Sequence, residues 1–215
     1  FQVLRGFSVV SVVIFHFFPN LLPYGYLGVD VFFVLSGYLI TLVLYKKDYA
    51  NYLTYLDFYF KRVRRIFPMS TMMIFLVSLY LLIMNQNELF EFNYRSAIAA
   101  LFYGTNLKKL DEGEEYFRKI QMVKLSYRTL FYPQLSSATD FFTHTWSLSV
   151  EIQFYCLAPT ILTIGKGQGV PGRFIMYSVV IATASLLFYL SVDSEIAFNS
   201  TMARLWQFLA GSIVF

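Results

Sequence analysis

From Ile66 to Met84 the chain carries no charged side chain. About 20 predominantly apolar residues are what a helix needs to cross the hydrocarbon core of a bilayer. Comparable runs recur at Val3–Leu22, Tyr26–Tyr45, Trp146–Ile164 and Phe174–Leu190, with a weaker one at Ala97–Asn106 and another starting at Met202. Runs of this length read as helices. Composition agrees: only 14% of residues are charged and 57% are hydrophobic, where a soluble domain averages about 25% charged. The mean hydropathy is +0.55. The expected fold class is all-α, a polytopic transmembrane helical bundle with about six or seven helices. Such a chain is a multi-pass integral membrane protein whose partner is the lipid bilayer; which membrane it occupies is not written in the sequence.

The segments between the runs set topology. Pro19 and Pro23 mark the exit of the first helix, and PYGYLG leads into the second. The polar and aromatic stretch KKDYANYLTYLDFYFKRVRRIFP precedes the third helix and ends in Lys61, Arg62, Arg64 and Arg65. Such a cluster marks the cytosolic side. The net charge of +4 is therefore read as topological, with no nucleic-acid partner. The amino terminus is then cytosolic and the acidic loop NQNELFEF lies outside. Residues 108–140 are charged and mixed, an exposed loop insertion between membrane helices. Counting every run as a crossing puts that insertion in the cytosol and Lys166 and Arg173 outside, against the charge rule. Either the fourth segment does not span or that loop is an exception. The lone Cys156 permits no disulfide within the chain. No signal peptide is expected, since Arg5 and His16 argue against reading the first apolar run as one. The start without Met and the stop at GSIVF suggest cut ends. No GxxxxGK[ST], G-x-S-x-G or Cys/His metal spacing occurs, so nucleotide, soluble-hydrolase and metal readings lack support.

Five stretches carry polar groups where lipid makes them costly. In LRGFSVVSVVIFH, Arg5 and His16 are eleven residues apart, so a helix puts them on one face, about 16 Å apart along the axis. One helix thereby offers a fixed cation near one end and a proton-transfer group deep inside. The alternative is an arginine reaching for the interface and a histidine bonded to a neighbouring helix. In GVDVFFVLSGYLIT, Ser36 and Gly37 are small enough for another helix or an acyl chain to approach. Asp30 there reads as an acid at a helix entrance. In FKRVRRIFP, Arg62 and Arg65 share a side and suit bidentate phosphate capture, or they belong only to the topological cluster. In HTWSLSVEIQFY, Ser147, Glu151 and Tyr155 recur at four-residue spacing on one face. The carboxylate at that depth asks for a partner such as His16 or an arginine. His144, just before that helix, is the competing base. In RLWQFLAG, Arg204 and Gly211 share a face, with the arginine at the helix entrance.

Taken in order, LRG-x9-H, GVDVFFVLSGYLIT, RVRRIFP, HTWSLSVEIQFY and RLWQFLAG make the chain resemble the membrane acyltransferase-3 family, and more closely its animal, especially nematode, branch related to the nose-resistant-to-fluoxetine proteins. Members move acyl groups, often acetyl from acetyl-CoA, onto sugars, glycans or lipids. The resemblance implies a domain of about ten membrane helices, of which residues 1–215 would be a part truncated at its C-terminal end. It implies His16 as catalytic base with Glu151 as the WSLSVE acid. It puts the arginine of the family's R-x10-H pair at Arg5, implies Arg62 and Arg65 in binding the acyl donor and places the family's small pair at Ser36 and Gly37; Arg5, Ser36, Gly37, Ser147 and Arg204 are further candidates for substrate or donor binding.

The expected function is therefore an integral membrane O-acyltransferase that takes acyl-CoA as co-substrate, binds no cofactor or metal, and modifies a hydroxyl-bearing acceptor. His16 would take the acceptor's proton as general base, and Glu151 would orient the imidazole. A second reading stays open. Several members of the animal branch are known for lipid or drug uptake, and the same polar face could carry a headgroup without making bonds.

Overall fold

A computed structural model describes residues 2–45, 52–83, 87–110, 140–166 and 172–214. The described residues are helical, with no strand among them. The helices are α1 (Gln2–Phe17), α2 (Gly28–Tyr45), α3 (Tyr52–Ile83), α4 (Asn87–Leu101), α5 (Trp146–Lys166), α6 (Arg173–Ser191), α7 (Ser194–Asn199) and α8 (Thr201–Ile213). A further helical stretch occupies 105–110. Four segments are long and apolar enough to cross a membrane: Gly25–Tyr45, Leu53–Ile83, Thr143–Gly165 and Arg173–Ser191. The insertion expected at 108–140 falls mostly outside the described residues.

The faces of α1 and α6 are inverted relative to those of a water-soluble protein. The buried residues of α1 are Ser8 and Ser11, while Val3, Phe7, Val9, Val10 and Val13 are exposed. In α6, Ser178 and Ser185 are buried and Ile175, Val179, Val180, Leu187 and Leu190 are exposed. Without a hydrophobic drive between helices in lipid, small residues line their contacts and large apolar ones face the acyl chains. The serines cost little there, because Ser8 Oγ and Ser11 Oγ donate to Leu4 O and Phe7 O, one turn back, at 2.9 Å each.

Three boundaries differ from the sequence expectation. Helix α1 stops at Phe17 rather than Leu22, because Pro19 disfavours helical geometry at Phe18 and donates no hydrogen bond. Helix α3 begins at Tyr52, well before Ile66, and runs through Pro68. That proline removes one bond, the one to Arg64 O, and the polar stretch before it offers no other breaker. At 1.5 Å per residue, the 32 residues of α3 reach about 48 Å, against a hydrocarbon core of about 30 Å. The turns carrying Lys61–Arg65 therefore project beyond the core when Ile66–Ile83 is immersed. Helix α4 takes up all but the first two residues of the expected acidic loop and ends at Leu101 in a left-handed cap at Tyr103 (φ 52°). Gly104 N donates to Ala99 O at 2.7 Å and Tyr103 N to Ala100 O at 3.2 Å, the bonding pattern of a Schellman end. The Tyr103 hydroxyl is anchored by Ser70 Oγ at 2.7 Å. Helix α4 is not among the candidate spans.

Two compact units are distinguished. The first comprises Phe1–Tyr55, Gln153–Asp193 and Thr201–Phe215. In it α8 packs between α2 and α6, and α1 lies against α2. Phe208 stacks on Phe33 at 4.7 Å and on Phe154 at 4.1 Å between ring centroids. Ser185 inserts into the backbone ladder of α8, accepting from Trp206 N at 3.0 Å and donating to Met202 O at 2.6 Å.

The second unit comprises Leu56–Ile152 and Ser194–Ser200. Its core gathers Ile74 and Leu81 of α3, Ala100 of α4 and Phe142. Asn106 Nδ2 donates to Asn199 O at 3.1 Å, and Trp146 packs on Phe198 at 4.3 Å.

Candidate functional site

In the first unit, Arg5 is half-buried and its guanidinium lies 4.8 Å from the centre of the Phe32 ring. A Cβ at Gly28 would collide with Ser8 O, so the start of α2 lies directly against the middle of α1. His16 sits in the last turn of α1 and is exposed. Because α1 ends at Phe17, the imidazole stands at the helix terminus.

Of the two readings for the Ser36–Gly37 pair, Gly37 falls to helix packing. A Cβ there would occupy the position of the Phe208 backbone, and one at Gly211 would occupy that of Val34 O. The two glycines make a reciprocal crossing of α2 and α8, sealed by Thr41 Oγ1 donating to Ser212 Oγ at 2.8 Å. Ser36, beside it, is buried.

Arg204 is buried at the entrance of α8, and Asp30 at the entrance of α2 lies against it. Its Nη1 donates to Asp30 Oδ1 at 2.9 Å and to Gln207 Oε1 at 3.3 Å, while Gln207 Nε2 donates to the same Asp30 oxygen at 3.0 Å. Asp30 is thus more than a dipole-matched acid, since it balances an arginine 174 residues away. Arg204→Met would leave that carboxylate uncompensated. Losing one partner of a buried pair costs roughly 3–5 kcal/mol; Asp30 is 37% exposed, which places the expected loss near the low end. Thermal unfolding in detergent should show a marked drop for Arg204→Met and partial recovery in Arg204→Met/Asp30→Asn. An unchanged midpoint in the single variant would rule out a structural role for the pair.

In the second unit, Arg62 and Arg65 stand on the projecting part of α3. Arg62 is half-buried, its guanidinium 5.6 Å from the centre of the Phe58 ring, and Arg65 is exposed. Lys61 is engaged by Asp57 at 2.9 Å. Glu151, in the second turn of α5, is only 5% exposed. His144 is exposed in the 3₁₀ turn before α5, and Ser147 Oγ donates to its carbonyl at 3.4 Å.

A family model described as an acyltransferase domain, acyltransferase 3, matches residues 1–215. The chain belongs to the acyltransferase-3 family. Among curated proteins it is 30% identical over 217 residues to the O-acetyltransferase OatA of Staphylococcus aureus (strain NCTC 8325 / PS 47), covering 98% of this chain and 33% of that protein. It is 29% identical over 220 residues to a putative O-acetyltransferase of Staphylococcus aureus (strain COL), with 98% and 33% covered. The chain spans about a third of the length of these curated relatives. No solved structure matches it. The relatives named are bacterial, so the resemblance to the animal branch drawn from the motifs gains no support from them. As an acyltransferase-3 chain with four helices able to cross a bilayer, the protein is a multi-pass integral membrane protein.

Several residues of this acyltransferase-3 chain that build the motif surroundings escaped the sequence reading. Gln207 completes the Asp30–Arg204 cluster from inside the RLWQFLAG stretch, where arginine and glutamine three apart on one face were the available signal. Asn93, Ser96, Lys108 and Asp140 meet ahead of α5. They lie in charged or mixed sequence and gave no periodic signal.

Proposed function

We propose that this chain is the membrane-embedded part of an O-acyltransferase that moves an acyl group, acetyl being the first candidate, from acyl-CoA to a hydroxyl of a glycan, lipid or small molecule. The observation that carries the reading is the match of the whole chain to the acyltransferase-3 family, with Arg5 and His16 on one face of α1. Relatives named O-acetyltransferases support acetyl and oxygen as the partners of the transfer. The animal branch stays a proposal about ancestry and supplies no acceptor.

In this mechanism His16, as neutral imidazole, removes the proton of the acceptor hydroxyl. The oxygen attacks the thioester carbonyl, the C–S bond breaks, and the imidazolium returns its proton to the departing thiolate. The family resemblance gives Glu151, a buried acid on α5, the role of the acid that serves this base. Arg62 and Arg65 take the phosphates of acyl-CoA as bidentate forks. Arg5 stabilises charge that develops on the reacting carbonyl oxygen. Arg204 is held by Asp30 and Gln207, so it acts by fixing α8 against α2, beside Ser36 and Gly37. Ser147 lies one turn before Glu151 and would contact the acceptor. His144 is the alternative base.

The test is chemical. Purified full-length protein supplied with labelled acetyl-CoA and a panel of hydroxyl acceptors should release CoA and form a labelled ester. If neither transfer nor acetyl-CoA hydrolysis occurs while lipid or drug uptake persists in cells, the enzyme reading fails and the non-enzymatic carrier replaces it.

A further inference from the structure

The helix that carries Glu151 begins at a construction that the mechanism does not use. Asp140 Oδ1 accepts from Phe142 N at 2.9 Å, and Asn93 Oδ1 of α4 accepts from Phe141 N at 2.9 Å. The other oxygen of Asp140 accepts from Ser96 Oγ at 2.8 Å and lies 3.7 Å from Lys108 Nζ, which itself donates to Ser96 Oγ. Both charged side chains are largely buried, 15% exposed for Lys108 and 7% for Asp140. One turn on, Thr145 Oγ1 donates to Phe142 O at 2.7 Å and meets Thr105 Oγ1 at 2.8 Å. Phe142, fully buried, is set into the core of α3 and α4 beside Ile74, Leu81 and Ala100.

A buried ion pair is weak evidence for stability, since hydrophobic residues in its place often do as well. Its value lies in direction. Here the pair and its two hydrogen-bonding neighbours fix successive backbone amides, Phe141 and Phe142, at the point where the chain enters α5. A helix entered at a fixed angle and register presents its second turn at a fixed height. A misplacement of about 1 Å at a catalytic group can cost on the order of 10²-fold in rate.

We infer that the Lys108–Asp140 pair, with Asn93 and Ser96, is a positioning clamp for the HTWSLSVE segment, holding Glu151 at the height the transfer requires. The clamp touches neither donor nor acceptor. It rests on the reading of Glu151 as the acid that serves the base.

The experiment uses the full-length protein in lipid vesicles, with acetyl-CoA as donor and any acceptor found to be modified. Asp140→Ala should lower kcat by tenfold or more while leaving KM for acetyl-CoA within about twofold, because Arg62 and Arg65 on α3 are untouched. Amide hydrogen exchange at residues 141–145 should speed up by about tenfold or more in the same variant. Lys108→Met/Asp140→Asn should restore most of both, since the amide oxygen still accepts from Phe142 N and no unpaired charge remains. If Asp140→Ala fails to accumulate, the comparison of Asp140→Asn with that double variant decides, and the single change should be the worse. Wild-type kcat in a correctly inserted Asp140→Ala, or a double variant no better than the single, would overturn the clamp. Glu151→Gln separates the two readings: an inactive Glu151→Gln beside a fully active Asp140→Ala sinks the clamp alone. A fully active Glu151→Gln sinks the role of the acid and leaves hydrogen exchange to judge the clamp.

Discussion

His16→Gln should abolish acyl transfer while the protein inserts and accumulates as the wild type does. Glutamine keeps a hydrogen-bonding side chain of similar reach and has no basicity in the physiological range, so it removes the proton acceptor and little else. Loss of a general base removes about 10² to 10⁴ in rate, which takes most membrane assays below detection. The position of His16 makes the experiment clean. It stands exposed at the end of α1, outside the contact that Ser8 offers α2 through Gly28, so replacing it opens no cavity in a packed face. His16→Ala should behave alike. Turnover of labelled acetyl-CoA by equal amounts of folded protein is the measurement. Wild-type turnover in the glutamine variant would return His16 to a hydrogen-bonding role and make His144→Gln the next experiment. Retained biological activity in both variants, with no acylated product, would favour the carrier.

How much of this was legible in the sequence depends on whether the information is local. The spans at α2, α5 and α6 could be read because a long, predominantly apolar run has one inexpensive place to go. The stop of α1 comes five residues before the expected Leu22, because apolar side chains continue past Pro19 while the backbone effect that ends the helix acts on Phe18 alone. In α3 the error ran the other way. Lys61, Arg62, Arg64 and Arg65 looked like a boundary, yet a helix longer than the bilayer is thick can carry its charges beyond the core without breaking. The small Ser36–Gly37 pair announced a close approach, but only coordinates show that Gly37 and Gly211 each face the other helix's backbone. Asp30 and Arg204 are each unremarkable at a helix entrance. Their pairing across 174 residues is a tertiary fact with no local trace. The same holds for Asp140, which lies in a segment whose charge content reads as solvated and whose carboxylate is in fact buried.

Replacing both Arg62 and Arg65 with glutamine should raise the KM for acyl-CoA by about 10² to 10⁴ and leave kcat at saturating donor much less affected. A charge-assisted hydrogen bond to a phosphate contributes roughly 1.5–3 kcal/mol, and 1.4 kcal/mol is a factor of ten. Two such contacts multiply to that range if they add, and residues three apart that share one ligand add imperfectly. The geometry favours these two arginines over their neighbours. They share a side of α3 where it projects past the apolar span, whereas Lys61 is already engaged by Asp57 one turn away. Arg62 is braced over the Phe58 ring, which holds its plane and limits the entropy lost when a phosphate docks. Lysine at both sites keeps the charge and loses the fork, so it should fall between wild type and glutamine. Salt dependence offers an independent readout: weakening of donor binding by added salt should diminish in the glutamine variant, because the screened charges have gone. Arg64→Gln, on a different side of the helix, should leave the donor KM near wild type. A correctly inserted Arg62→Gln/Arg65→Gln protein with unchanged donor KM would return the cluster to topology alone. The phosphate-binding role would then have to be sought at Arg5.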